Sequence, residues 1–416
     1  MLGRDRLYYG WTLVGTLGLT TIVSYGTTQY LFGVLLVPIQ QETGWSRGAL
    51  SGAYSLSFVA VGLAGIPIGR LVDRYGARAL MAGGSVVGAI CLIALAQVHQ
   101  LWQFYVLWAG GLGLSMALTF YSVSFVVVAN WFQRRRGAAL ALLTLVGGLA
   151  SPIYIPLAGL LVPALGWRGT TVVMGLSQLV VALPLHAALV RRRPEDLGLL
   201  PDGRLPSGSR ERPALSGAAL GAALGRAAFW TLTLSGTLSL AASSAINAHQ
   251  VPYMIGRGYG PVLAAGMAGL VGLASLPGRF ALNAISDRIG PDRLLTACIA
   301  AQALGVAMLA VAGSLPLLIA YVAIYGFAFG AVNPLRASVM AQHFGRRAYG
   351  SITGVQGVAT WLGAGLGPLA AGWLYDRSGG YALALWLAVA ALALSSLAVA
   401  LTPRHERFPP PLAGEG

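Results

Sequence analysis

The sequence predicts an all-α membrane protein in which twelve transmembrane helices form two parallel six-helix repeats. The prediction depends on composition, on the spacing of apolar runs and on an internal repeat. Of the 416 residues, 56% are hydrophobic and only 9% are charged. A soluble domain carries roughly 25% charged residues, so this chain has too little polar surface to face water on its outside. We therefore expect lipid to surround most of it.

Twelve runs are long and apolar enough to cross a bilayer, which takes about 20 residues for each helix. They lie near residues 8–36, 50–69, 79–98, 101–129, 137–164, 169–190, 228–251, 262–286, 294–313, 315–342, 350–375 and 380–401. The first run has no small-residue cleavage site at the length of a signal peptide, so we expect it to be retained as a span. These runs leave no room for a large soluble domain.

One long polar segment separates the runs into two groups of six. It covers residues 191–227, begins with three arginines and is rich in Pro, Gly and Ser. That composition is typical of a linker. We expect an N-terminal six-helix bundle over 1–190, a cytoplasmic linker over 191–227, and a C-terminal six-helix bundle over 228–416 that ends in a short cytoplasmic tail.

The charged residues are strongly unbalanced, with 27 cationic residues, 12 acidic residues and a net charge of +15. The cations are all arginine and form short clusters between apolar runs, which argues against a basic face for nucleic acid. With the N-terminus in the cytoplasm, 21 arginines fall in cytoplasmic segments and 4 in outer ones. The positive-inside rule then predicts a multi-pass protein of a bacterial inner (plasma) membrane with both termini cytoplasmic.

Three motifs recur in the two halves at almost one distance. Asp73-Arg74-Tyr75-Gly76 matches Asp287-Arg288-Ile289-Gly290 at an offset of 214 residues, Trp131-Phe132-Gln133-Arg134-Arg135 matches His343-Phe344-Gly345-Arg346-Arg347 at 212, and Gly159 matches Gly372 at 213. Each pair has the same predicted orientation in the membrane. The matches therefore predict two parallel repeats related by an axis along the membrane normal.

With these features the chain resembles the major facilitator superfamily over essentially its whole length. The loop Gly69-Arg70-Leu71-Val72-Asp73-Arg74-Tyr75-Gly76-Ala77-Arg78 is similar to that family's G-x-L-A-D-R-x-G-R-K signature and departs from it at Val72 and Ala77. The resemblance implies the major facilitator fold and rocker-switch alternating access. It also implies a cytoplasmic gate, for which the candidate residues are Gly69, Asp73, Arg74, Gly76, Arg78, Asp287, Arg288, Arg134 and Arg135.

Within the superfamily, four segments resemble the branch of monocarboxylate transporters and oxalate/formate antiporters, especially its bacterial members. They are Tyr9-Gly10-Trp11, which lacks the acidic residue of the branch, the stretch 131–139, the stretch 193–198, and Gly367-Pro368 with Gly372-Trp373-Leu374-Tyr375-Asp376. The resemblance implies that the substrate is a small organic anion.

Arg279 is the strongest candidate for binding this anion. It lies eight residues before Asp287 at the cytoplasmic end of the eighth run, which places it about 12 Å inside a core of roughly 30 Å. A charge there costs about 2.5–3.5 kcal/mol even on the lenient insertion scale, so it marks a functional candidate. Its planar guanidinium matches a carboxylate. The resemblance implies the same role, because an arginine in the eighth span binds the substrate carboxylate across this branch.

Other polar residues are candidates to complete the substrate site. His249 is a candidate for ligand binding or for carrying a coupling proton, and a structural, hydrogen-bonded role is the alternative. Tyr121, Tyr325 and Tyr30 each combine an apolar body with a hydroxyl, and plain packing is the alternative for each. Ser275 stands where proton-coupled animal relatives carry an aspartate four residues ahead of the arginine.

Arg336 lies late in the tenth run, where we expect its long side chain to snorkel to the cytoplasmic interface. Arg279 would then be the one cation near the midplane. The eleventh run also lacks the lysine that dicarboxylate-exchanging oxalate relatives carry. A single fixed cation favours a substrate with one carboxylate.

We therefore expect a secondary active transporter of small organic anions, first of all monocarboxylates such as lactate or pyruvate, with proton symport. The alternatives are a carboxylate exchanger of the oxalate/formate kind, an exporter of bulkier organic acids, or, from another class, a non-transporting membrane sensor. The sequence contains no nucleophile with a base, metal-ligand cluster or phosphate-binding loop, so we expect no enzymatic activity, cofactor, metal or catalytic residue. The expected partners are the anion, a proton and the bilayer, with no nucleic acid, and the expected state is a monomer.

Overall fold

The computed structural model describes residues 8–133, 135–203, 217–345 and 347–403, without the side chains of Ile66, Asp73, Asn283 and Asp287. Nearly all of these residues are helical, and the strand-like structure in the described ranges is one isolated bridge between Gly217 and Gly345. The predicted all-α class is confirmed. Helices suit a lipid-surrounded chain because they pair their own backbone groups internally.

The first half consists of helices that π-helical turns interrupt. They are α1 (Tyr9–Tyr25), a π turn (Gly26–Tyr30), α2 (Leu31–Thr43), α3 (Arg47–Tyr75), α4 (Ala77–Leu95), α5 (Leu101–Tyr105), a π turn (Val106–Leu112), α6 (Gly113–Thr119), α7 (Tyr121–Trp131), α8 (Arg136–Gly147), α9 (Ala150–Ser177), a π turn (Gln178–Ala182) and α10 (Leu183–Leu189). Such turns are frequent at functional sites.

In its described residues, the second half consists mostly of longer helices and contains no π turn. The polar segment before it holds two short 3₁₀ turns, Pro194–Leu197 and Pro201–Gly203. The helices that follow are α11 (Leu220–Leu224), α12 (Ala227–Gly256), α13 (Pro261–Ala284), α14 (Ser286–Ile289), α15 (Pro291–Ala310), α16 (Leu315–Phe344), α17 (Tyr349–Ser378) and α18 (Ala382–Ala400).

These helices cover all twelve ranges in which the sequence predicts a membrane span. In the described residues, nine helical stretches are long and apolar enough to cross a membrane, and one of them, Arg136–Leu189, contains two predicted spans. Helices α12 and α17 are less apolar than these nine. In a membrane protein, polar helices face protein or a water-filled cavity because polar groups are costly in lipid.

Glycines with left-handed backbone angles show the predicted repeat directly. Gly44 and Gly258 have φ values of 72° and 92°, Gly76 and Gly290 of 82° and 94°, and Gly166 and Gly379 of 67° and 71°. The members of each pair are 214, 214 and 213 residues apart. Positive φ is strained for residues with a Cβ, so each pair marks a turn that needs glycine in both halves. The two halves are therefore built on one helix–turn pattern.

Close contacts divide the chain into two compact units. The first contains residues up to Arg210 together with Gln250–Gly269, and the second contains Glu211–His249 together with the residues from Leu270 onward. Residues 250–269, which follow the linker in sequence, thus pack with the first unit. There, a Cβ added to Gly159 of α9 would overlap the Cβ of Ala265 in α13. Small residues at such positions allow membrane helices to approach closely.

Candidate substrate-binding site

Helices α13 and α16 approach each other closely in the second unit because three glycines face the partner helix. A Cβ on Gly278 would overlap the carbonyl oxygen of Phe327, and one on Gly330 would overlap that of Ser275. A Cβ on Gly326 would lie 2.6 Å from the Val271 carbonyl oxygen. This packing brings the backbone of α16 within reach of the side chain that follows Gly278, which is Arg279.

Arg279 contacts α16 at its midpoint. Its Nε donates a long hydrogen bond of 3.4 Å to the carbonyl oxygen of Gly330, halfway along the 30-residue helix Leu315–Phe344. The side chain is half-buried. Since a helix of this length crosses the whole hydrocarbon core, the guanidinium lies at mid-membrane depth, in agreement with the depth obtained by counting residues.

Ser275 lies in the same α13–α16 contact, one turn before Arg279. Its hydroxyl donates to the Gly272 carbonyl oxygen at 2.6 Å, within its own helix, and the residue is buried. Of the candidates from the sequence, Arg279 and Ser275 are the two that the second unit brings together at one helix contact.

Arg336 does not snorkel, and this part of the sequence prediction is wrong. Its terminal Nη2 atom is shielded from solvent and has no hydrogen-bond partner among the described residues. The residue lies eight positions before the end of α16 at Phe344, a rise of about 12 Å. The side chain points into the helix bundle instead of toward the interface, because α16 is rotated so that this position faces α12.

Helix α12 packs against Arg336, and α17 packs against the same position of α12. A Cβ built on Gly236 of α12 would lie 3.9 Å from both Cζ and Nε of Arg336, and 2.9 Å from Cγ2 of Thr360 in α17. Gly236 is the tenth residue of α12 and Thr360 the twelfth of α17, so both lie well inside the membrane. The Nη2 atom of Arg336 is therefore shielded inside the bundle of the second unit, and Arg336 lies about 9 Å nearer the end of α16 than Gly330.

His249 is buried and uses both ring nitrogens in the second unit. Nδ1 lies 2.9 Å from the Tyr381 hydroxyl, and Nε2 lies 3.0 Å from the Pro368 carbonyl oxygen. A carbonyl oxygen only accepts, so Nε2 carries a hydrogen. The structure thus places His249 against α17 and the start of α18, and not at the contact that contains Arg279.

Tyr325 of α16 is buried and packs against α15. Its ring centroid lies 5.4 Å from that of Tyr321 and 5.8 Å from that of Phe329 on the same helix. A Cβ on Gly305 of α15 would lie 2.7 Å from the Tyr325 Cβ. These contacts give the tyrosine a packing role between α15 and α16.

Tyr30 and Tyr121 belong to one aromatic cluster in the first unit, and Tyr25 connects them. The Tyr25 ring centroid lies 6.5 Å from that of Tyr30 and 5.0 Å from that of Tyr121, and the ring stacks on Phe120 at 3.7 Å. Tyr121 also has its hydroxyl against Gly147 of α8. Tyr25 is not among the site residues predicted from the sequence, because the π turn Gly26–Tyr30 that it directly precedes is visible only in the structure.

The described candidate gate residues lie in the last two turns of α3, at the turn into α4 and in its first turn, just before α8, and in α14. In the first unit, Arg74 places its guanidinium 5.2 Å from the ring centroid of Tyr75, and Arg78 Nε donates to the Ala187 carbonyl oxygen at 2.6 Å. Gly76 ends α3 with φ of 82°. A Cβ on Gly69 would meet no described atom within 4 Å.

The rest of the candidate gate is described only in part. The backbone N–H of Arg135 donates to the Asp202 carboxylate at 3.3 Å, which ties the α7–α8 loop to the linker. Arg288 is exposed in α14. Arg134 lies outside the described residues, and the side chains of Asp73 and Asp287 are not described.

A cavity of about 570 Å³ lies in the first unit. Its described lining is apolar apart from Gln41 and Glu42, and the Glu42 carboxylate accepts hydrogen bonds from Trp167 at 2.6 Å and from Arg168 at 2.8 Å. With a carboxylate and no cation among the described residues of its wall, this cavity does not suit an anion.

Comparison with known proteins gives consistent matches along the chain. The family model described as "Major Facilitator Superfamily" matches residues 17–359 and, in a second match, 278–416. Monocarboxylate transporter 13 of Bos taurus is 27% identical over 407 residues, which covers 95% of this chain and 90% of that protein. Monocarboxylate transporter 11 of Homo sapiens is 28% identical over 390 residues, covering 90% and 78%.

A solved structure shares the fold. The bacterial homologue of the human lysosomal transporter Spinster, in an inward-facing and unoccupied conformation, matches with a TM-score of 0.75 over 99% of this chain and 100% of that chain, at 16% identity. The matched relatives named above are transporters, in agreement with the prediction that the chain is not an enzyme. Because the family model covers well over half of the sequence and the fold agrees, the chain belongs to the Major Facilitator Superfamily and is a multi-pass membrane transporter.

Proposed function

We propose that the protein is a secondary active carrier of small organic anions and that Arg279 binds the carboxylate of the substrate. The observation that carries the proposal is the position of the Arg279 guanidinium at the midpoint of α16, held by the Gly330 carbonyl oxygen. Two relatives that align with most of the chain carry the printed name monocarboxylate transporter, which supports a carboxylate as the substrate class.

The chemistry of the guanidinium suits this role. Its planar donors match the two oxygens of a carboxylate, and such charge-assisted bonds are stronger than neutral ones. At mid-membrane depth little water would surround the ion pair. Binding of the anion would therefore offset the free-energy cost of placing the Arg279 cation in the membrane. Alternating access then opens this site first to one side of the membrane and then to the other, so that the anion crosses while Arg279 stays near the midplane.

A proton is part of the proposal as the coupling ion, with His249 as the group that binds it. The neutral ring donates from Nε2 to the Pro368 carbonyl oxygen, and the Tyr381 hydroxyl can either donate to Nδ1 or accept from it. Its surroundings therefore accommodate both the neutral and the protonated imidazole without any change of partner. Cytoplasmic termini, a bacterial inner membrane and a monomeric state complete the proposal.

Exchange of one anion for another is the second candidate function, and Arg336 favours it. The Nη2 atom of Arg336 has no hydrogen-bond partner among the described residues, so reorientation of an empty carrier would move this cation through a low-dielectric medium without an anion beside it. A carrier that reorients readily only when loaded exchanges anions instead of moving them with net flux. Counterflow with and without a trans anion, measured in the same vesicles, separates exchange from symport.

The test of the binding site uses purified protein in proteoliposomes and labelled lactate, pyruvate and oxalate. Arg279→Lys keeps the charge but loses the planar fork, so we expect affinity to fall about tenfold. Arg279→Ala should remove anion binding while the protein remains folded. Arg293→Lys, at an exposed position of α15, is the matched control and should behave as the wild type. Wild-type uptake by folded Arg279→Ala would contradict the proposal.

A further inference from the structure

We propose that the cavity of about 570 Å³ in the first unit is a binding site for an apolar amine, whose ammonium group pairs with the Glu42 carboxylate while its body fills the apolar interior. The proposal goes beyond the proposed function, because none of the described residues that line this cavity is a candidate for binding the organic anion. Its volume lies within the range of about 300–1,000 Å³ that is typical of small-molecule sites.

The first argument is the division of the cavity into an apolar interior and a polar mouth. Val34, Gly159 and Val251 line it and are buried, whereas Gln41 and Glu42 line it and are exposed. Val34 and Glu42 belong to the same helix and are eight residues apart, which corresponds to a rise of about 12 Å. A ligand that fits this shape has an apolar body and one polar end.

The second argument is the excess of hydrogen-bond acceptors in the wall. Pro38 in α2 and Pro163 in α9 have no N–H, so the carbonyl oxygens of Val34 and Gly159, four residues earlier, lack their usual helical donor. All four residues line the cavity. The charged side chain among the described residues of the wall is Glu42, which also accepts. The polar end of the ligand is therefore a donor, and an ammonium group matches the negative charge.

The third argument is that the Glu42 carboxylate is held in place and keeps room for a further donor. Its two oxygens accept from Trp167 Nε1 at 2.6 Å and from Arg168 Nε at 2.8 Å. Arg168 also donates from Nη1 and Nη2 to the carbonyl oxygens of Ala96 and Val98, at 2.7 and 2.8 Å, and these carbonyl groups at the end of α4 offset part of its charge. A carboxylate has about four acceptor positions. The Glu42 side chain is 49% exposed, so an ammonium group can reach it.

The test compares the binding of phenethylamine and phenethyl alcohol to the purified full chain by calorimetry at neutral pH. The two probes have the same apolar body, and only the amine is charged. We expect the wild type to bind the amine about tenfold more tightly, which is the effect of one charge-assisted contact. Glu42→Gln should remove this preference and leave the affinity for the alcohol within about threefold of the wild type. Glu195→Gln, at an exposed position of the linker, is the matched control and should keep the preference.

Val162→Trp tests the location of the site independently of Glu42. Val162 lines the cavity, so the larger side chain should fill it and remove the binding of both probes. Wild-type affinity for the amine in folded Val162→Trp would place the ligand elsewhere and overturn the inference. Equal affinities of the wild type for the two probes, an unchanged preference in folded Glu42→Gln, or no binding of the amine to the wild type would overturn it as well.

Discussion

His249 holds its two ring nitrogens against a hydroxyl and a carbonyl oxygen, so its substitution tests proton coupling at the scale of one residue. We expect His249→Gln to flatten the pH dependence of uptake, because the variant lacks the imidazole that is proposed to carry the coupling proton. Exchange at fixed pH should continue, since no proton has to move in that reaction. Uptake and counterflow in proteoliposomes between pH 5 and 8 measure both effects.

Tyr381→Phe is the control for this prediction. It removes the hydrogen bond at Nδ1 but keeps the titratable imidazole, so the pH dependence of uptake should persist. If His249→Gln and the wild type show the same pH profile, the histidine has a structural role and the coupling group lies elsewhere.

Arg279 and Arg336 show which properties of a single membrane residue can be predicted from the sequence. Counting residues to the end of the helix gives the right depth for Arg279, because an α-helix rises by a constant 1.5 Å per residue. The same count gives the depth of Arg336 but not the direction in which its side chain points. A long side chain near a helix end can reach water or turn into the bundle, and the rotation of α16 decides between them.

At the scale of helices, the contact between α13 and α16 positions Arg279, and Gly330→Ala tests it. A new Cβ would overlap the Ser275 carbonyl oxygen, so the helices must separate. Overpacking of this kind costs about 1–3 kcal/mol. We expect a lower unfolding temperature and weaker anion binding, because the carbonyl group that Arg279 contacts is displaced. Thermal unfolding and calorimetry measure the two effects.

Gly266→Ala is the matched control in α13, because a Cβ there would meet no described atom within 4 Å. It should leave binding unchanged and, since alanine favours helix over glycine, should not lower stability. If Gly330→Ala and Gly266→Ala have equal stability and affinity, the close approach of the two helices does not position the arginine.

At the scale of the whole molecule, the arginine distribution predicts the orientation in the membrane. We expect Gln100→Cys, in an outer loop, to react in intact cells with a maleimide that cannot cross the membrane. Glu195→Cys, in the linker, should react only after permeabilisation. Both positions are exposed. The native thiols Cys91 and Cys298 are buried and are first replaced by serine. The reverse labelling pattern would invert the proposed topology.

The internal repeat was visible in the sequence as short motifs, and the structure gives its physical basis. Gly76 and Gly290, the last residues of the first recurring motif, both take positive φ at the end of a helix and directly precede the next one. The pairs Gly44/Gly258 and Gly166/Gly379 also take positive φ, at turns for which the sequence shows no longer motif. A single glycine is too common to be recognised as a repeat until its backbone angle is known.

Composition and the lengths of the apolar runs by themselves determined that this protein lies in lipid, that it is helical and that it has twelve spans. They do so because burial in lipid constrains every residue of a span in the same way. Only the tertiary structure decided which side chains face one another. A helix such as α16 has apolar residues all round, so its sequence does not fix its rotation. Packing against glycines fixes the rotation of α16. Gly278 and Gly330 allow the close contact that includes Arg279, and Gly236 lies beside Arg336.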